Sequence, residues 1–381
     1  MRGPMTRGGA DRCPGLSRPF VSGDGAIVRV RVPGGAVTTA ALATLSRIAA
    51  RHGGDPDLSV TSRGALQLRG LPDPLPAPLV DELVATGLFP SAAHELARNV
   101  LADPFDPVAA EVAAAYDALL LDDPLLGGLP GRFLVGVAGP AGWVLGAPLD
   151  VAWLPDEIRV AGHRAPCSAD RAPAALAATG QAFLHVRAGD PGIWTVADLT
   201  ADARAELLRL LSEELDLEPM AAVPAPSPPS PGVHGADDLL VGLPLGLLTP
   251  EQVRVLASVT EQVRVTPWRS VALTGGARYA DQLASVGLLV DATSAATRVT
   301  ACPGAPSCHR GRTPTVPFVR EVLPRLVADG PRIHVVGCGR GCGRPAQDHV
   351  LVLEPEGPGA VLAADRTGRA GTAYPQEGGP R

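Results

Sequence analysis

The sequence predicts a duplicated α+β protein. A strand-helix-strand pattern occurs twice, alternating and helical periodicities mix between the copies, and a cysteine-bearing segment follows the second copy. In the first copy VRVRVPGGAVT (residues 28–38) alternates apolar and polar residues and turns at Pro33 and Gly35, and a Thr N-cap opens an Ala/Leu-rich helix reaching about Arg51. LSVTSRGALQLRG (58–70) returns as an alternating strand segment. The second copy reads LLVGLPLGLLT (239–249), EQVRVLASVTEQ, and VRVTPWRSVALTG (263–275). Pro33, Gly35 and Thr38 fall on Pro244, Gly246 and Thr249 at an offset of 211, and Thr61, Leu68 and Gly70 fall on Thr266, Leu273 and Gly275 at an offset of 205.

Between the copies the pattern predicts a helix over Phe105–Leu121, several strands over Phe133–Val160 and a helix over Ala201–Leu215. AAVPAPSPPSPG (221–232) reads as a semi-extended linker. After the second copy come a helix at about Arg278–Leu288, a cysteine pair, an amphipathic helix over Val316–Val327, a strand over Arg332–Val336 and a second cysteine pair. The expected organisation is a flexible N-terminus (1–19), a first half-module (20–85), a middle subdomain (86–220), a linker (221–235), a second half-module (236–295), a cysteine subdomain (296–369) and a flexible tail (370–381).

Composition narrows the class. The chain of 381 residues suits two or three compact units, and its 44 glycines and 40 prolines stay below the share that marks a disordered chain. Hydrophobic residues make up 46 % but aromatics only 3 %, so the core is built from Ala, Val and Leu. All 33 basic residues are arginine. A net charge of −6, with no segregated basic block, argues against a nucleic-acid partner. The uncharged stretch 133–149 is broken by glycines and prolines, which argues against a membrane span, and residues 1–11 lack the apolar core of a signal peptide, so a cytoplasmic protein is expected.

Cys302 and Cys308 stand in TACPGAPSCHRG with five residues between them, and Cys338 and Cys342 stand in VVGCGRGCGRP with three, with 29 residues between the pairs. Thiolates are soft ligands suited to iron-sulfur clusters or zinc, and surrounding glycines and prolines let the backbone wrap closely. Structural zinc sites favour gaps of two to four residues, so the longer gap leans toward iron-sulfur and leaves zinc and unligated thiols as alternatives.

This cysteine pattern, preceded by two modules of which the first ends in T-x-R-x-x-x-Q-L-x-G, resembles the sulfite and nitrite reductase superfamily over about residues 20–350. The resemblance implies two ferredoxin-like half-modules related by a pseudo-twofold axis, with tetrapyrrole-binding and iron-sulfur subdomains. It implies a [4Fe-4S] cluster on Cys302, Cys308, Cys338 and Cys342, the last bridging to sirohaem in the reductases, and arginines on the macrocycle carboxylates. Arg63 and Arg98 match two of those arginines. Arg132 and Arg344 are further candidates, because an arginine fork grips carboxylates bidentately.

Two departures matter. Reductases carry a segment resembling LPRKFK, whereas this chain reads LPGRFL, so Arg132 keeps one cation and Leu134 replaces another. In the second copy Trp268 falls opposite Arg63, which leaves one active pocket expected. The opening DRCPGLSRPFVSGDGAIVRV is similar to precorrin-3B synthases, a branch of the superfamily in aerobic cobalamin biosynthesis. That similarity implies a monooxygenase converting precorrin-3A to precorrin-3B with molecular oxygen, a mononuclear non-haem iron of unassigned ligands, and electrons from an external NAD(P)H-linked donor. A sirohaem-dependent nitrite or sulfite reductase and a zinc-stabilised binding module are the alternatives. Cys13, Cys167, His309 and His334 are expected in ordinary structural roles, and Gly23–Gly25 as a turn.

Overall fold

The computed structural model describes Asp11, residues 13–345 and residues 347–368. The expected tail therefore lies outside the described residues, as does most of residues 1–12. Two compact units emerge. The larger runs through Phe20 and from Ala26 to Val290, and the smaller comprises Val21–Gly25 and the described residues from Asp291 onward.

After a short strand β1 (Phe20–Ser22), the first module contains β2 (Gly25–Val30), β3 (Ala36–Thr38), α1 (Thr39–His52), β4 (Leu58–Val60), β5 (Leu66–Leu71) and α2 (Ala77–Val84). The second contains β12 (Gly232–His234), β13 (Asp238–Gly242), β14 (Leu247–Leu248), α6 (Pro250–Val259), β15 (Gln262–Val265), β16 (Ser270–Leu273) and α7 (Ala280–Ala284). Each module lends a strand to the other: one sheet runs β2-β5-β4-β14, the other β12-β13-β16-β15-β3. Leu248 pairs with Leu58 and Leu247 with Ser59, while Val37 pairs with Val263 and Ala36 with Arg264. Shifting one pairing by the sequence offsets gives the other, which is the signature of a pseudo-twofold axis.

Local chemistry repeats as well. Thr38 Oγ1 accepts the Ala41 N–H and Thr249 Oγ1 accepts the Gln252 N–H, both at 3.2 Å, so the same N-cap opens both helices. Left-handed residues recur at Gly34 and Leu245, Gly35 and Gly246, and Gly64 and Arg269. Helices α1 and α6 pack on each other above one continuous core that includes Leu42, Leu45, Leu68, Leu256 and Leu273.

Between the modules stand β6 (Val100–Ala102), α3 (Pro107–Asp122), β7 (Val135–Val137), β8 (Val151–Leu154), β9 (Glu157–Val160), β10 (His163–Pro166), α4 (Ala172–Arg187), α5 (Ala201–Leu211) and β11 (Glu218–Pro219). Their sheet runs β11-β10-β9-β8-β7-β6, parallel across β6, β7 and β8 and antiparallel beyond. Tyr116, Phe133, Trp153 and Phe183 fill its core. The sequence reading missed α4.

The smaller unit is a parallel sheet of β17 (Val299–Ala301), β18 (Ile333–Val336) and β19 (Val350–Leu353), with α8 (Thr315–Val322) and α9 (Pro358–Thr367) packed together beside it. Ser22 Oγ donates to the Ser307 carbonyl at 2.9 Å, which joins the Gly23 turn to this unit.

Candidate functional site

In the larger unit four arginines converge from three elements. Arg29 lies on β2 and Arg31 directly follows its last residue, and the alternation along this segment sends both to one side while Val28 and Val30 fill the core on the other. Arg63 comes from the turn between β4 and β5, and Arg132 precedes β7. Arg63 Nη1 donates to the Arg132 carbonyl at 2.8 Å. Arg31 Nε donates to Asn99 Oδ1 at 2.9 Å and its Nη1 to the Pro14 carbonyl at 3.3 Å. Burial is the first cause that pushes the Arg29, Arg31 and Arg63 guanidiniums below the ordinary arginine range, Arg31 to about 10, and neighbouring arginines add to it.

The anions nearby do not neutralise this charge. Asp11 Oδ1 lies 3.6 Å from Arg132 Nε. Among the described residues, Arg29 Nε, Arg31 Nη2 and Asp11 Oδ2 are buried without a hydrogen-bond partner. A cluster of always-charged forks with open donors suits a polycarboxylate. Arg29 and Arg31 were missed at the sequence level, although arginines at alternate positions of an otherwise apolar strand were the available signal.

The N-terminal segment borders the cluster. Cys13 is buried with its N–H on Asp11 Oδ1 at 3.1 Å, and Glu95 accepts the Leu16 and Ser17 N–H groups and the Ser17 hydroxyl. Residues 13–18 are thus tied to Asp11 and Glu95 by hydrogen bonds. Burial, with Asp11 beside it, raises the Cys13 thiol, which suits an inert packed side chain.

Arg98 has its donors on the protein itself. Its Nε and Nη2 grip Asp117 at 2.8 and 2.7 Å and its Nη1 donates to the Leu88 carbonyl at 3.1 Å, so the fork is consumed within the protein. The next residue, Asn99, faces the arginines instead. Arg344 is exposed in the smaller unit, on the loop after Cys342.

The outer wall of the arginine site is Arg132, whose guanidinium lies 4.8 Å from the centre of the Trp194 ring. Behind it Asp150 accepts the Leu134 N–H at 2.8 Å on Oδ2 and the Val196 N–H at 2.6 Å on Oδ1. Leu134 is fully buried, so this position contributes packing and a backbone donor rather than a charge. On the second module Trp268, at the position equivalent to Arg63, stands edge-on to Trp143 at 6.5 Å and packs near Leu101 and Val144.

All four cysteines of the pattern lie in the smaller unit, Cys302 just past β17 and Cys338 just past β18. Adjacent parallel strands ending together bring the loops that carry the thiols side by side. Cys302 Sγ accepts the Gly337 N–H at 3.2 Å, an amide-to-sulfur bond of the kind that tunes cluster thiolates. The loop is wound tightly: a Cβ on Gly304, left-handed at φ +62°, would lie 2.5 Å from the Thr313 carbonyl oxygen. Partial burial raises the Cys342 thiol; Arg340 opposes that effect, and Cys338, Cys302 and Cys308 add to it. Among the described residues no three His, Cys, Asp or Glu side chains are gathered around one point, so the thiols are neighbours rather than a closed cage. The donor chemistry and the close-wound glycines fit an iron-sulfur cluster.

His334 is fully buried on β18, with Nδ1 2.9 Å from Thr300 Oγ1 and Nε2 3.1 Å from the Cys342 carbonyl, which ties the cysteine loop to the sheet. His309 is exposed beside Cys308. Cys167 is a core residue whose carbonyl accepts the Trp153 indole N–H at 2.8 Å. Among the described residues no helix is long and apolar enough to cross a membrane.

Comparison with known proteins agrees with this architecture. Residues 20–85 match the nitrite/sulfite reductase ferredoxin-like half domain. The chain is similar to a precorrin-3B synthase from Sinorhizobium sp, 28 % identical over 96 % of this chain and 85 % of that protein. Among solved structures, the NirA protein of Mycobacterium tuberculosis matches with a TM-score of 0.60 at 19 % identity, over 84 % of this chain and 69 % of NirA, a likeness of fold. The duplicated α+β class and the resemblance to precorrin-3B synthases are both borne out.

Proposed function

We propose that the protein is an oxidoreductase of the precorrin-3B synthase type, which takes precorrin-3A in the arginine site of its larger unit and oxidises it to precorrin-3B. The observation that carries this reading is the cluster of Arg29, Arg31, Arg63 and Arg132 with buried, open donors, joined to the similarity along nearly the whole chain. Asp11 and Glu95 hold the N-terminal segment against the cluster, and Trp194 supplies an apolar face suited to a flat ring.

Cys302, Cys308, Cys338 and Cys342 would hold a [4Fe-4S] cluster, which supplies electrons one at a time when bound. Around it the Gly337 N–H stabilises the Cys302 sulfur and His334 fixes the Cys342 backbone. The balance of the proposed reaction is one oxygen atom of molecular oxygen into the substrate and the other into water, with two electrons and two protons from an external donor. A mononuclear iron, a cytoplasmic location and an NAD(P)H-linked partner belong to the same proposal. The missing cation at Leu134 and the CPGL opening at Cys13–Leu16 support this reading over a reductase with permanently bound sirohaem.

Iron, sulfide and tetrapyrrole analysis of anaerobically purified protein tests it. The expected protein is brown, contains iron and sulfide, and releases no sirohaem; replacing any one of the four cysteines by Ala abolishes the chromophore, and replacing Cys167 does not. Stoichiometric sirohaem with nitrite or sulfite reduction would replace the proposal with the reductase reading, and zinc without sulfide would replace it with the binding-module reading.

A further inference from the structure

Asp150 has no assigned role in the site, yet it occupies the junction of the two segments that build the outer wall. Its Oδ2 holds the N–H of Leu134, two residues after Arg132, and its Oδ1 holds the N–H of Val196, two residues after Trp194. The grip is reciprocal on the first side, where the Asp150 N–H donates to the Leu134 carbonyl at 2.8 Å and extends the β7/β8 pairing. On the second side the loop is preformed. Asp198 Oδ2 gathers the Trp194 and Thr195 N–H groups and the Thr195 hydroxyl in a capping box, leaving the Val196 N–H directed at Asp150. One carboxylate therefore sets the separation between the backbone beneath Arg132 and the backbone beneath Trp194, and the guanidinium-to-ring contact of 4.8 Å depends on that separation.

We propose that Asp150 is a positioning residue for the substrate site, clamping Leu134 to Val196 so that Arg132 is held against the Trp194 ring as one rigid wall for the macrocycle. This rests on the tetrapyrrole reading of the arginine cluster and gives it a support outside the cluster. Free to swing, Arg132 would lose rotamer entropy on meeting a carboxylate; stacked in advance, it loses less.

The clamp is also titratable. Burial raises Asp150 to about 7, against the pull of the two N–H groups and of Arg63, with Asp198 adding to the rise. Arg63, from the β4–β5 turn, and Asp198, from the turn after α4, are the charged groups facing it. A cavity of about 630 Å³ walled by Leu149, Ala152, Arg159, Val223 and Pro226 reaches Asp150 and gives protons a route. A protonated carboxyl presents a donor where an N–H needs an acceptor, so the clamp slackens as pH falls through about 7 and tightens above it.

The test uses full-length protein and uroporphyrin III, an octacarboxylate macrocycle, as the probe. Asp150→Asn retains one acceptor, and Val196→Pro deletes one donor at the first position of a helical turn, where proline is tolerated. Each should weaken uroporphyrin binding by about tenfold at pH 8, with no further loss in the double variant. Each should also shift Trp194 emission, read as the difference from the matching Trp194→Phe protein, toward the red. Wild-type affinity should fall severalfold from pH 8 to pH 6, and that dependence should flatten in Asp150→Asn.

Wild-type affinity, pH profile and Trp194 emission in both variants would overturn the inference. If the wild type binds no uroporphyrin, the tetrapyrrole reading fails by itself, and Trp194 emission alone then decides the clamp: a red shift in both variants upholds it, and an unchanged spectrum overturns it.

Discussion

Arg98 and Arg63 show how one residue type in similar motifs acquires opposite roles through its neighbours. Arg98 is buried with Nε and Nη2 on Asp117, and removing one partner of such a pair leaves an uncompensated buried charge. Arg98→Ala should lower unfolding free energy by about 3 kcal/mol in urea titrations, while the folded fraction keeps its affinity for a tetrapyrrole polycarboxylate. Arg63→Ala should do the reverse, weakening that affinity roughly ten- to a hundredfold with a smaller change in stability. Equal affinity losses in the two variants would contradict the division of labour. The motif ARNV made Arg98 legible as a candidate but not its partner, because Asp117 lies 19 residues away on α3 and only the tertiary packing brings them together. Arg29 and Arg31 were legible in principle from their alternation with Val28 and Val30; their convergence with Arg63 and Arg132 was not.

At the scale of elements the repeat was readable because turns and caps leave fixed residue types at fixed offsets. Gly35 is a case where the backbone demands glycine: φ is +77° and a Cβ would overlap the Val265 carbonyl oxygen, which belongs to β15 of the other module. Gly35→Ala should therefore disrupt the β3–β15 exchange and cost more than Thr38→Ala, a cap loss of about 1 kcal/mol; chemical denaturation of the two variants checks the order. Helix α4 escaped the sequence reading for a physical reason. It packs against α3, α5 and β8, buries Leu176, Ala177, Gly180, Ala182 and Phe183 around more than half of its circumference, and so shows no single apolar stripe. The strand β19 and helix α9 were missed beyond the cysteines, where VLVL offered a short apolar run without a partner in sequence to pair it with.

For the whole molecule, two chemistries sit on separate units: cationic forks on the duplicated larger one and four thiols on the parallel sheet of the smaller one. The thiol spacing was fully legible, since ligand type and gap length are sequence properties. The arginine site was legible only in part, since three separate elements contribute to it. The central claim is that this chain oxidises a precorrin, and turnover under isotopically labelled oxygen tests it most directly. Anaerobically purified protein supplied with precorrin-3A, a reductant and labelled oxygen should yield precorrin-3B carrying one labelled oxygen atom, with loss of product in Arg63→Ala and Cys338→Ala. Intact precorrin-3A after incubation with protein that holds its full complement of iron and sulfide would contradict the account.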